Sequence, residues 1–419
     1  MKSYIAILCC ALGGANATTY PPFTVPPEDI AAILNGSSST RVTTRSRLPA
    51  DISFACADIK YKDGVLKFCE CGDGVYMSLR TANIILNNHE QRAVAPYWGI
   101  LWHYLAQCNL PIWLVGDSKP ENALAIRTLK TLGGRVVKNI FQLKHDPLFD
   151  SLRIKNFIPQ SALQHYRGIV IFRSGSERGR DGRAIKDFRR TYPEFLYVNG
   201  IAHPYIIRKD NTNNLFFDAH LKNLIPKFNT YTTHYSSELT EKILDDFDDQ
   251  WLIVKPVFSS LAFGVNLIER KNLDDFLKLI LRDKKEISCN AHRGLSYWRC
   301  HTPSKMFVSA YAPSKVIYKD ALPYDPTMRI VFIMSHTAGI ITVTAIAGFW
   351  KIPVQSLAEK KVSPTAKHVT IAHSGAYYTG ILVDPDDWYD IKKILDGNLP
   401  LLYQTMLEKH ALKAEDQHA

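Results

Sequence analysis

WLIVKPVFSSLAFGVNLI, residues 251–268, reads as two apolar strands, 251–254 and 265–268. Lys255-Pro256 and a small-residue turn containing Ser259, Ser260, Ala262 and Gly264 join them. That is a hairpin, not a strand-to-helix phosphate loop. A lysine leaving a buried strand presents an ammonium at a fixed place, and a turn of small residues lets backbone N–H groups come close to an anion. Such a pair suits nucleotide phosphates. Taken alone it equally describes a solvated lysine at a sheet edge.

Three other segments bear on that choice. Lys209 stands in YIIRKDN (205–211), a strand-like KMFVSAYAPSK occupies 305–315, and Arg329 stands in YDPTMRIVFIM (324–334). In order and character the four segments resemble the ATP-grasp ligases, which clamp ATP between two α+β lobes; the resemblance spans residues 205–353. It implies that Lys209 and Lys255 hold the α- and β-phosphates, with Ser259, Ser260 and Gly264 in the loop around them. It implies that the backbone at Val308, Ala310 and Tyr311 meets the adenine edge. Arg329 would stabilise charge at the γ-phosphate or on an acyl phosphate, a task for which a guanidinium fork is suited. The chain departs from the family at Ser309-Ala310, where a Glu is usual.

Near the N-terminal end, FACADIKYKDGVLKFCECGDG predicts strands over 54–61 and 65–71 around the turn Lys62-Asp63-Gly64. Asp58 and Glu70 lie at about equal distances from that turn and can be neighbours across the ladder. Two close carboxylates call for cations. From the residues alone, these are Lys60, Lys62 and Lys67 on a solvated hairpin. The ATP-grasp resemblance implies instead that Asp58 and Glu70 hold Mg²⁺, with the acidic hairpin placed early, an order similar to that of glutathionylspermidine synthetases. Gly72 stands where that pattern has Asn, and Asp325 is the reserve ligand.

The chain has 419 residues, of which 46% are hydrophobic, 22% charged and 11% aromatic. This is a globular composition with enough apolar content for two or three lobes. A formal net charge of +11 implies polyanionic partners such as nucleotides, nucleic acid or anionic membrane. Residues 1–17 have the shape of a secretory leader ending in Ala15-Asn16-Ala17, or of a buried N-terminal strand. The expected location is the cytoplasm or, if the leader is used, another compartment containing ATP. No later stretch is long and uncharged enough to span a membrane. The eight cysteines contain no C-x-x-C pair. Cys69 and Cys71 are read as packing on one strand face. Cys289 and Cys300 could pair only after export. Residues 35–47, NGSSSTRVTTRSR, read as a polar linker.

Alternating helices and strands over 97–172 predict a parallel, Rossmann-like α/β lobe. A Gly/Arg loop over 174–190 follows, with Arg178, Arg180 and Arg183 as its cations. No aromatic residues are interleaved with them, so no stacking platform for bases and no specific nucleic-acid partner is expected. Residues 192–209 are read as ending in a strand, with helices over 215–224, 237–248, 273–281 and 388–412. Lys351 in GFWKIP is a possible contact for a substrate carboxylate, and His373-Ser374-Gly375 lacks an Asp partner for a hydrolytic triad. The resulting fold class is α/β and α+β, ATP-grasp-like. Its divisions are 1–48 (leader and linker), 49–94 (acidic hairpin), 95–204 (α/β lobe), 205–304 (small nucleotide lobe) and 305–419 (remaining core and C-terminal helix). The resemblance implies an ATP- and Mg²⁺-dependent ligase that joins a small-molecule or peptide carboxylate to an amine or thiol through an acyl phosphate. A nucleotide-binding module without turnover and a basic RNA-binding protein are the alternatives.

Overall fold

The computed structural model describes residues 40–44, 48–73, 97–116, 126, 129–172, 179–206, 208–258, 263–288, 291, 293–360, 364–368 and 380–415. Helices and four sheets make up the described chain. The largest sheet contains β1 (Thr40–Thr43), β2 (Asp51–Lys62), β3 (Val65–Asp73), β14 (Thr327–Thr337), β15 (Ile340–Lys351) and β16 (Gly380–Leu382). Its order is β1-β15-β14-β2-β3, with β16 also on β15, and every pairing is antiparallel.

Two of its connections are two-residue hairpin loops. Asp63 and Gly64 have φ of 50° and 77°, and Ala338 and Gly339 have φ of 50° and 79°. Paired positive φ values give the loop twist that continues the right-handed twist of the flanking strands. Between Asp58 and Ile59 the β2–β3 register shifts: Ile59 faces Phe68, but Asp58 faces Glu70. Cys69 is therefore the extra residue of a β-bulge, which breaks strict side-chain alternation. Cys69 and Cys71 do not share a packing environment as their spacing suggested; Cys71 joins the apolar core and Cys69 does not.

Strand alternation divides β2 between two environments. Ala55, Ala57 and Ile59 pack with Ile330 and Phe332 against the long helix Pro385–Glu415, through Ile391, Leu395, Leu399 and Tyr403. Ile52, Phe54 and Cys56 join Val331, Ile333 and Phe349 against the parallel lobe. That second face continues along the strands into Asp58 and Lys60 on β2, Arg329 on β14 and Lys351 on β15. One sheet face is thus apolar at one end and charged at the other.

The parallel sheet, β5-β4-β6-β7, comprises β4 (Ile112–Val115), β5 (Arg135–Val137), β6 (Ile169–Phe172) and β7 (Leu196–Tyr197). Trp113 anchors one side of it, with edge-on contacts to Phe149 and Phe195. A smaller antiparallel sheet, β10-β9-β11-β8, is formed by β8 (Phe228–Thr232), β9 (Trp251–Pro256), β10 (Asn266–Glu269) and β11 (Lys305–Ala310). Its core joins Leu252 and Val254 to Leu239, Ile243, Leu277 and Trp298 of the covering helices. A separate ribbon pairs β12 (Ile317–Lys319) with β13 (Leu322–Tyr324).

Three expectations are corrected. Part of the segment read as linker, Thr40–Thr43, adds an edge strand to β15, because that strand's backbone offers unpaired groups along Ile340 to Val343. The segment before Lys209 is a helical turn, His203–Ile206, rather than a strand. Lys209 opens the helix Lys209–Asp218, six residues before the helix expected at 215. The leader, Arg178, Ser259, Ser260, Cys289 with its proposed pairing to Cys300, and His373-Ser374-Gly375 lie outside the described residues.

Candidate functional site

Asp58 sits in the middle of the charged end of the sheet. Glu70 is its partner on β3, and Arg329 is its partner on β14. Because directly opposed residues share a face, Arg329 reaches the carboxylate in a two-pronged grip, with Nε donating to Oδ1 at 2.8 Å and Nη2 to Oδ2 at 2.9 Å. Lys351 Nζ donates to Oδ2 at 2.5 Å. Burial by itself would raise the Asp58 pKa, but the charges of Arg329 and Lys351 outweigh it and hold the carboxyl below its ordinary range. Burial and the neighbouring Arg329 push the Lys351 ammonium down against the pull of Asp58.

The small lobe meets this face through Lys255, 7% exposed at the end of β9. Its Nζ donates to the carbonyl of Cys69 at 3.2 Å and lies 4.7 Å from the centre of the Phe307 ring, its cross-strand neighbour. Lys255 has no ion pair among the described residues. Burial first, and the charge of Lys209 second, bring its pKa down to about 8, against the opposing influence of Glu70, Cys69 and Asp58. Lys209 Nζ stands 3.5 Å from Glu70 Oε1. An acidic hairpin and a basic strand 186 residues apart are thereby joined.

A second charged cluster lies beside the first. Lys60 Nζ donates to Asp325 Oδ1 at 3.0 Å and to the Pro326 carbonyl at 2.9 Å. Asp325 Oδ2 lies 2.5 Å from His368 Nδ1, which is itself 2.8 Å from the Tyr311 hydroxyl. Burial raises the Asp325 pKa, yet Lys60 and His368 bring the balance below the ordinary carboxylate value. Residue types gave no sign of this cluster, since it needs β2, the residues before β14 and the helix Pro364–His368 to converge.

The structure departs from the expected metal site. Both Asp58 oxygens already accept hydrogen bonds from cations, Asp325 is shared between Lys60 and His368, and Gly72 has no side-chain oxygen. Mg²⁺ demands a near-octahedral shell of oxygen ligands. Two cations in contact with the same carboxylate would also repel it, so the residues at Asp58 and Glu70 do not fit that ion as arranged. Nor are the cations near Asp58 the ones expected: Lys67 donates to the Asn223 carbonyl, and Lys62 is exposed.

The remaining site residues take varied places. Gly264 has φ of 75°, and a Cβ there would lie 2.6 Å from Pro256 Cδ and Cγ, so the turn closes tightly on the Lys-Pro strand. Its carbonyl accepts from Trp298 Nε1 at 2.9 Å. Val308 lies mid-strand between β8 and β9. The amides of Ala310 and Tyr311 donate to the carbonyls of Lys227 and Trp251, and in this arrangement neither is offered to a base edge. Trp350 is buried in the helix-covered core. Arg183 is exposed on the helix Gly179–Thr191, away from the Asp58 contacts described above.

No protein-family model matches the chain, and no curated protein matches it. Among solved structures, the chain resembles a protein of Methylobacillus flagellatus described as a gamma-glutamylcysteine synthetase (12% identity, TM-score 0.44, 87% of this chain and 91% of that one). It also resembles the D-alanine-D-alanine ligase of Coxiella burnetii (13%, TM-score 0.28, 74% and 97%). A third is the RimK domain ATP-grasp protein of Sphaerobacter thermophilus (12%, TM-score 0.29, 55% and 90%). At these TM-scores and identities the likeness gives no residue a role. No helix among the described residues is long and apolar enough to cross a membrane.

Proposed function

We propose that this chain binds the polyphosphate of ATP between β9 and the charged end of the large sheet, and is an ATP-dependent carboxylate–amine or carboxylate–thiol ligase of the ATP-grasp kind. The observation that carries the reading is Lys255. A buried ammonium whose polar partner is a neutral carbonyl is an incomplete ion pair, and an anionic ligand would complete it.

In this reading Lys255 and Lys209 hold phosphate oxygens, and Arg329 with Lys351 balances negative charge that builds where the phosphoryl group is transferred. The carboxylate oxygen of one substrate forms a bond to the terminal phosphorus as the bond to ADP breaks. An amine or thiol then attacks the acyl carbon, phosphate leaves, and the nucleophile's proton passes to solvent. The protein's contribution is positioning and charge. No step is assigned to a metal, because the carboxylates do not fit one.

A specific observation favours a second reading, a nucleotide-binding module without turnover: Asp58 is tied to two cations, and Gly72 replaces an expected ligand. Screening ADP release from ATP against amino acids, polyamines and short peptides separates the two. Release that depends on both an acid and an amine or thiol supports a ligase. ATP-induced thermal stabilisation with no release under any pair supports the binding module, and no response to ATP at all removes both.

A further inference from the structure

The grip on Asp58 has the chemistry of a ligand site. A planar guanidinium meets both oxygens of a carboxylate at 2.8 and 2.9 Å, and an ammonium reaches one of them at 2.5 Å. This is how proteins hold free carboxylates and phosphates. All three side chains are buried or nearly so, with side-chain exposures of 7% for Arg329, 5% for Lys351 and 12% for Asp58. Lys255 approaches from the facing lobe through Cys69, the residue that precedes Glu70.

We infer that Arg329 and Lys351 form an oxyanion site for a carboxylate or phosphate ligand, and that Asp58 is the internal anion occupying it when no ligand is bound. The arrangement deepens the proposed function and rests on it for the identity of the natural ligand, but the site itself makes a claim about small anions alone. A ligand must displace Asp58 or share its cations, so the chain discriminates against weak anions: only one that brings more negative charge than a single carboxylate, or further contacts elsewhere, competes with a tethered partner. Two carboxylates, Asp58 and Glu70, can face each other across the ladder because Asp58 is neutralised from the β14 side.

The test uses inorganic phosphate and the full chain carrying Asp58→Asn, which keeps the shape and removes the charge. Expected for the variant is a rise of about 3 °C in melting temperature at phosphate near a hundred times its Kd, with less than about 1 °C for the unsubstituted chain. Adding Lys351→Met to Asp58→Asn abolishes the response. If Asp58→Asn folds only when phosphate is present, the external anion has taken the place of the internal one, which supports the proposal. Equal responses in the variant and the unsubstituted chain overturn it, as does a response that survives Lys351→Met. Failure to fold with and without phosphate also overturns it, because the anion then cannot replace Asp58. ATP is absent throughout, so failure here is distinct from failure of the nucleotide reading.

Discussion

Replacing Lys255 by Met separates stability from ligand response. In the folded chain the ammonium's pKa is about 8 against an ordinary 10.5, with burial as the main cause. The difference corresponds to roughly 3 kcal/mol, by which the folded state disfavours the charged form relative to the unfolded state. The sign follows from proton counts: between those two values the unfolded chain binds more protons, so stability rises with pH through that window. Below about pH 8 the full penalty is present, and above about 10.5 it is gone. Methionine removes the penalty but leaves the Cys69 carbonyl without its donor, a loss of about 1 kcal/mol. At pH 7, Lys255→Met is therefore expected to be more stable than the unsubstituted chain by about 1 to 2 kcal/mol, yet to show no stabilisation by ATP. Urea titrations at pH 7 and pH 10, alongside thermal shifts with ATP, measure both effects. A variant less stable at pH 7, or a stability difference that does not change with pH, would refute the view of Lys255 as an unneutralised buried cation.

Two structural predictions accompany it. Lys60→Met leaves Asp325 buried with His368 as its remaining ionic partner and should lower stability by about 3 kcal/mol in urea unfolding; Lys60→Met with Asp325→Leu should recover most of the loss, as expected for a buried pair removed whole. Gly264→Ala forces a Cβ against Pro256 at a positive φ, and should lower stability by about 1 to 3 kcal/mol while weakening ATP-induced stabilisation through displacement of β9.

The parts of this site that were legible in the sequence are local. Asp63-Gly64 marks its own turn, because few residue pairs accept two positive φ values, and the Lys-Pro strand announces itself by an apolar run ending in a cation. What was hidden is non-local. Nothing near Asp58 says that β14, 271 residues on, lies beside β2 and places Arg329 opposite it. The expectation of a metal came from the family resemblance, which carries no information on the Arg329 and Lys351 that face Asp58 in this chain. The segment before Lys209 was read as a strand because Pro204 is excluded from a helix interior, whereas it stands in the first turn of His203–Ile206, where a missing N–H costs no helical bond. Thr40–Thr43 looked like a tether because a short polar edge strand owes its conformation to the strand it joins.

The bulge at Cys69 sets a parity rule for the segment between Asp58 and Glu70. A regular ladder continued from Ile59 and Phe68 would put Cys69 opposite Asp58 and carry Glu70 to the opposite side of the sheet, among the buried apolar groups. The single surplus residue instead delivers an acid to one surface and a carbonyl oxygen to Lys255 at once. Lengthening or shortening β3 by one amino acid therefore rewires the junction between lobes, whereas a change of two preserves which side each residue occupies. Descendants of this chain should tolerate altered residue identities here more readily than altered spacing.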